Sequence, residues 1–164
     1  MVENYYPINF VVDGKKCVVV GGGAVAERKV RSLLKFGARV VVVAPSWTKQ
    51  LAGIPAVRLV RRGYRTRDLA GAVLVIAATD DLALNRQIAR DAQRENILVN
   101  VVDAPELCSF IVPSMIKRGP LVVAISTSGQ APAMAKALRL ELQKIITPQL
   151  GKLAARLGII RRKR

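Results

Sequence analysis

Three consecutive glycines, Gly21, Gly22 and Gly23, separate the apolar run Cys17–Val20 from a helical pattern that leaves at Ala24 and ends at Gly37. The spacing Gly21-x-Gly23-x-x-Ala26 is a dinucleotide-binding fingerprint with alanine in its last place. Gly21 lets the chain turn sharply from strand to helix. Gly23 lets backbone approach a pyrophosphate, and Ala26 keeps helix and sheet close. The free N–H groups and positive dipole end of the helix would face the phosphates. Glycines in such a corner can also serve the turn alone. The short strand before them, the capped helix after them and the second apolar strand Val40–Val43 favour the nucleotide.

A second chemical group is Asp103, at the end of an apolar strand and before a proline-containing turn. The chain has no histidine, so its commonest general base and commonest transition-metal ligand are missing. A carboxylate at a strand end is then a natural acid/base group, although a turn aspartate would look the same. Ligands of open α/β sheets bind outside the carboxyl ends of the strands. Those ends read Gly21–Gly23, Ala44–Ser46, Thr79–Asp81 and Asn100–Asp103. Pro45, Ser46, Thr79 and Asp80 are therefore cofactor-side candidates, and Asn100 and the nearby Ser109 are substrate-side candidates. Thr79 could equally be a strand-end cap. The acidic residue that would hold a ribose 2′-hydroxyl, about 20 residues past the glycines, is replaced by Pro45 and Ser46. Arg39 and Lys49 leave a 2′-phosphate open. Cys108 has no obvious partners for a metal and reads as a packed thiol; no metal site is expected.

These groups sit in a chain of 164 residues, 51% hydrophobic and 4% aromatic, enough for one domain with an appendage. It lacks an apolar run long enough to span a membrane, and MVENYYPINF does not read as a secretory signal. The two cysteines, Cys17 and Cys108, make no disulfide framework, and the expected compartment is the cytoplasm. Lys and Arg number 27 against 11 Asp and Glu, a net charge of +16 that a polyanionic substrate, a nucleic acid or simply a basic proteome would each produce. Lys117, Arg118 and Lys136 are candidates to hold a polyanionic substrate, or are simply exposed on a basic surface. No aromatic-basic interleaving supports nucleic acid, and the terminal RRKR reads as a solvated, frayed end.

The elements that must position these residues alternate. Ile8–Val12 and Lys16–Val20 flank the tight-turn pair Asp13-Gly14 and predict a hairpin. Helix follows over 25–36, strand over 40–44, and another helix is expected from Ala44-Pro45-Ser46. Strands are expected at Val57–Val60, Val73–Ala78 and Leu98–Val102, with a helix from Leu82 to about Glu95 capped by Asp80 or Asp81. This alternation predicts an α/β, mostly parallel sheet. Afterwards Ser109–Ile116 and Leu121–Ser126 predict strands joined by Lys117–Pro120, and Pro132–Ile146 a helix. A hairpin and helix are too small to bury a core well and should pack on the sheet or on a second copy.

GGGAVAERK at 21–29, AATDD at 77–81, NVVDAPELCSFIVPS at 100–114 and VAISTSGQAPAMAKALR at 123–139 together closely resemble the precorrin-2 dehydrogenase family. That family is the amino-terminal half of siroheme synthase, and its members are often also described as sirohydrochlorin ferrochelatases. The resemblance covers nearly the whole chain. It implies a Rossmann-like NAD-binding domain over 1–104 and a dimerisation hairpin with a short helical tail over 105–164, in a homodimer acting on an anionic tetrapyrrole. It assigns catalysis to Asp103, NAD contacts to Ala24, Val25, Pro45 and Ser46, and a place near the substrate to Thr127. The chain reaches Arg164 with no counterpart of the methyltransferase half. The expected reaction is NAD-dependent oxidation of precorrin-2 to sirohydrochlorin, with ferrous iron insertion as a second activity of such proteins. The rival reading is a dinucleotide-sensing module without catalysis, which would need neither Asp103 nor the hairpin block.

Overall fold

A computed structural model describes residues 5–162. Five strands make one wholly parallel sheet: β1 (Lys16–Val20), β2 (Arg39–Ala44), β3 (Val57–Arg61), β4 (Ala72–Ala77) and β5 (Leu98–Val101), in the order β3-β2-β1-β4-β5. Between them lie helix α1 (Ala24–Leu34), the single turn α2 (Lys49–Ala52) and helix α3 (Leu82–Arg94). β1 and β4 are buried along almost their whole length, which is why they read as unbroken apolar runs rather than as an alternation. One apolar layer joins Val18, Val20, Val75, Ile88 and Val99. The other joins Cys17, Val19, Ala26, Val30, Val42 and Leu51. Each fully buried valine contributes about 1.5–3 kcal/mol. Burial pushes the Cys17 thiol up to about 11, so it is a packed group and not a reactive one.

The expected opening hairpin does not form. The turn at Asp13-Gly14 is present, with Gly14 at φ 65° and the Lys15 amide bonded to the Val12 carbonyl. Residues 8–12 are nevertheless no strand, because β1 is central: β2 and β4 already take both of its sides. The turn is instead fastened to the start of β2, through Gly14 N–H to the Gly37 carbonyl and Arg39 N–H to the Lys15 carbonyl.

Helix α2 begins at Lys49, later than Ser46, because Thr48 is the residue whose hydroxyl caps it, accepting from the Leu51 amide at 3.1 Å. For α3 the cap is Asp81, which accepts from the Leu84 amide at 3.1 Å. A buried Asp91 accepts from Tyr64 and Thr66 and ties α3 to the loop before β4.

The chain folds into two compact units, and the sheet unit extends to Phe110. Residues 104–110 belong with the sheet because they return along the outer side of β5. Ser109 donates its backbone N–H to the Val99 carbonyl at 2.8 Å, and its hydroxyl accepts from the Val99 amide at 2.8 Å. The Cys108 thiol meets the Val101 backbone in the same way. Ser109 is therefore no strand residue, contrary to the pattern. On the opposite side of the sheet, β3 turns Arg58 and Arg61 outward.

The second unit, within 111–162, has an antiparallel pair, β6 (Ser114–Arg118) and β7 (Leu121–Ile125), joined at Gly119-Pro120. Lys117 and Arg118 thus belong to the strand, and Gly119 alone carries the left-handed turn at φ 58°. Helix α4 (Pro132–Ile145) lies where expected, but α5 (Pro148–Arg162) was not expected as a long helix. Gly151 of α5 lies against the Arg118 backbone, where any side chain would collide. Residues 1–4, and Lys163 and Arg164 of the terminal RRKR, lie outside the described residues. Among the described residues no helix is long and apolar enough to cross a membrane.

Candidate active site

All five strands run the same way, so β1, β2, β4 and β5 deliver their carboxyl ends to one rim of the sheet. The order reverses between β1 and β4, the switch point where such sheets bind ligands. Gly21 leaves β1 at φ 124°, and a side chain there would strike the Ala78 carbonyl. Gly22 is equally confined, against the Ser46 carbonyl. Gly23 differs: a Cβ on it would meet nothing within 4 Å. It is also the N-cap of α1 and offers no side-chain cap bond. The first turn bond of α1 runs from Glu27 to the Gly23 carbonyl at 3.0 Å, so the N–H groups of Ala24, Val25 and Ala26 precede the helix ladder. Two cramped glycines and one facing open space beside free helix N–H groups fit a coenzyme pyrophosphate.

Pro45 and Ser46 are exposed at the end of β2, beside this loop. Arg39 is not available to them. It starts β2, at the far rim, and its Nε donates to the Gly14 carbonyl at 2.7 Å. The cation at the near rim is Arg61, which pairs in register with Ala44 and lies 4.9 Å from the Trp47 ring centroid. Sequence reasoning missed it, since only strand register places residue 61 beside residue 44. Positive charge, not a carboxylate, stands at the end of β2.

At the end of β4, the Thr79 hydroxyl lies 2.7 Å from Asn85 Oδ1, and the Asn85 amide donates to the Thr79 carbonyl at 2.9 Å. That is the strand-end cap reading of Thr79. Asp80 is exposed beside it.

Asp103 follows β5 and is exposed, with φ at 58°. A non-glycine residue held in the left-handed region is uncommon, and such strain gathers at functional sites. Asn100 is a different case from the substrate-facing group expected. Its side chain is turned inward, 7% exposed, and donates to the Phe110 carbonyl at 3.1 Å while accepting from Lys29 Nζ at 3.2 Å. Ser109 is likewise committed to the β5 backbone. Both hold the segment around Asp103. Lys29 was missed by the sequence reading, because a lysine on an amphipathic helix reads as solvated. Burial, with Arg28 beside it, lowers its ammonium pKa below the usual lysine range.

Lys117, Arg118, Thr127 and Lys136 belong to the other unit. Lys117 and Lys136 are exposed, with Lys117 Nζ donating to the Gly119 carbonyl at 3.3 Å. Arg118 spends its Nε on the Ile146 carbonyl at 3.3 Å. The Thr127 hydroxyl accepts from the Ala131 amide at the head of α4 at 3.1 Å. Among the described residues no group of three or more His, Cys, Asp or Glu could hold a metal ion.

The sheet order, the glycine turn and the open helix head define a dinucleotide-binding α/β domain. Residues 8–114 match an NAD(P)-binding family, and residues 118–145 match the central part of a sirohaem biosynthesis protein. The chain is 49% identical over 152 residues to a siroheme synthase of Methylobacillus flagellatus, covering 91% of this chain and 32% of the relative. It is 46% identical over 167 residues to that of Nitrosospira multiformis, covering 96% and 35%. The chain thus spans about a third of the length of these relatives. A solved structure of SirC, a precorrin-2 dehydrogenase, superposes with a TM-score of 0.84 at 26% identity, over 96% of this chain and 79% of that one. The chain belongs to this NAD(P)-binding family, and it is similar to part of the siroheme synthases and to a precorrin-2 dehydrogenase.

Proposed function

We propose that this chain oxidises precorrin-2 to sirohydrochlorin with NAD. The single observation that carries the reading is the likeness to a precorrin-2 dehydrogenase along nearly the whole chain, hairpin and helices included. A generic dinucleotide domain would share the sheet alone.

NAD supplies the hydride acceptor for one of the two hydrogens that the macrocycle loses. The chain's own residues do the rest. Gly22, Gly23 and the head of α1 hold the pyrophosphate, Ala24 and Val25 lie on that helix head, and Pro45 and Ser46 flank the adenosine side. Thr79 and Asp80 border the nicotinamide side. Asp103 takes the second hydrogen as a proton from the ring, a role for a fixed carboxylate in a chain without histidine. Lys117, Arg118, Thr127 and Lys136 are the groups of the second unit proposed to meet the polycarboxylated substrate. The charge of +16 supports electrostatic steering of such an anion.

The chain acts as a homodimer in this reading. Support comes from apolar side chains that the second unit leaves in solvent: Met134, Leu138, Ile145, Leu153, Leu157 and Ile159. Two free cysteines support a reducing, cytoplasmic setting.

The test is to mix purified protein with precorrin-2 and NAD and follow the visible spectrum together with NADH absorbance. Stoichiometric NADH and the sirohydrochlorin spectrum are expected. NAD binding without any turnover would leave the sensor reading in its place. Ferrous or cobaltous ion, added in a second arm, tests metal insertion as a substrate reaction.

A further inference from the structure

Arg61 ends β3, and its in-register pairing with Ala44 sets it beside the exit of β2 at Pro45 and Ser46. The side chain is exposed, and its guanidinium carbon lies over Trp47, 4.9 Å from the ring centroid. The next residue, Arg62, is spent on Asp68 through both carboxylate oxygens. Arg61 has no such use: the ion pairs among the described residues take Glu27, Asp68 and Glu141, none of them with Arg61. The loop that Arg61 borders is packed on the glycine turn. Its Ser46 carbonyl confines Gly22, and its Thr48 N–H donates to the Gly22 carbonyl at 3.0 Å. Sheets of this kind meet the adenosine ribose at the end of the second strand. A carboxylate there holds a free 2′-hydroxyl, whereas an arginine accommodates a 2′-phosphate. This chain has no Asp or Glu between Glu27 and Asp68. Glu27 does approach Thr48 from α1, but it is paired with Arg31.

We propose that Arg61 is a coenzyme-selectivity residue: steadied by Trp47, its guanidinium receives the 2′-phosphate of NADP, so this chain binds NADP(H) at least as tightly as NAD(H). The proposal deepens the dehydrogenase reading and rests on it for the reaction, but not for the binding. The 2′-phosphate sits at the adenosine end of the coenzyme, remote from the nicotinamide. Substrate oxidation therefore proceeds with the same hydride and the same proton whichever coenzyme is bound, and only affinity differs. Guanidinium suits the task, because its planar fork offers paired donors to phosphate oxygens and keeps its charge at every working pH. The ring contact with Trp47 uses up no hydrogen bond, since a guanidinium meets a ring through its charge and its donors remain for an anion.

Binding titrations on the full chain test it without turnover. By fluorescence, NADPH should bind the wild type at least as tightly as NADH; weaker binding of NADPH overturns the proposal. A chain this basic attracts any additional phosphate, so a second titration holds charge constant. Adenosine 2′,5′-bisphosphate and its 3′,5′ isomer compete against NADPH, and the 2′ isomer should compete better by about fivefold or more. Equal competition would reduce the preference to general attraction and overturn the proposal. Arg61→Ala should weaken NADPH by about tenfold or more and NADH by less than about threefold. An equal loss for both coenzymes is a packing effect and overturns it. Arg61→Lys should recover part of the NADPH affinity, as a point charge without the fork. The two readings fail separately. A wild type that binds NADPH as expected but oxidises precorrin-2 with neither coenzyme sinks the dehydrogenase reading alone. Oxidation with NAD beside weaker NADPH binding sinks the role of Arg61 alone.

Discussion

The backbone N–H of Thr48 donates to the carbonyl of Gly22 at 3.0 Å, so the loop after β2 is tied to the middle of the glycine turn. The Thr48 hydroxyl also lies 3.3 Å from Glu27 Oε2 on α1 while it caps α2. One residue thereby fixes the loop after β2, the glycine turn and helix α1 together. Thr48→Ala should lose about 1 kcal/mol of stability as a lost cap, a fall of about 3 °C in Tm. It should also raise the KM for NAD several-fold with kcat little changed. Thermal melts and initial rates on the same sample check both.

Gly22 and Gly23 should separate stability from coenzyme affinity. A methyl group at Gly22 collides with the Ser46 backbone, so Gly22→Ala should lower Tm and NAD affinity together. A methyl group at Gly23 meets no protein atom within 4 Å. Gly23→Ala should therefore melt near wild type yet bind NADH at least about tenfold more weakly, since its only obstacle is the ligand. Fluorescence titration with NADH and a melt of each variant suffice. Equal NADH affinity in Gly23→Ala and wild type would remove the pyrophosphate from this turn.

Asp103 combines an exposed carboxylate with a left-handed backbone, and substitutions can divide the two. Asparagine tolerates that conformation, so Asp103→Asn should keep the Tm and abolish oxidation of precorrin-2. Asp103→Ala should lose turnover and, in addition, about 1 kcal/mol of stability. Turnover in Asp103→Asn near the wild-type rate would exclude the carboxylate as proton acceptor.

A fourth prediction concerns pH. The Arg62 guanidinium binds Asp68 through both carboxylate oxygens, and this bond lowers the Asp68 pKa below its ordinary value of 3.8. A group whose pKa is lower in the folded state stabilises the protein above the unfolded value and loses that contribution as pH falls through the folded one. Asp68→Asn should therefore melt below wild type at pH 7. The difference should narrow only below about pH 4. Melts of both proteins from pH 7 to pH 3 read this directly; a gap that is constant across the range would contradict the pairing.

The sheet was legible in the sequence because local pattern and tertiary demand agree there. Unbroken apolar runs at 17–20 and 40–43 fit strands buried on both faces, and the glycine spacing marks the turn from the first of them into α1. The opening hairpin was misread because Asp13-Gly14 does make a turn, but the neighbours of β1 are chosen by strand order, which no local pattern encodes. Ser109 was misread as strand for a similar reason: its polar side chain completes the β5 backbone from outside. Lys29 and Arg61 could not be found by periodicity. Each matters through a partner more than ten residues away, Asn100 in one case and Trp47 in the other. Helix α5 carries little amphipathic signal, with glycines at 151 and 158 and basic residues spread around it, so its length was hidden.

The return of residues 104–110 along β5, and the outward arginines of β3, also bear on how copies of this chain can meet. A parallel sheet normally exposes two rows of unsatisfied main-chain groups that can template growth by strand addition. Here one row is met by Cys108 and Ser109, and the other carries cations that repel their own likeness on a second, equally basic molecule. Runaway fibre-like stacking is thereby discouraged at both flanks.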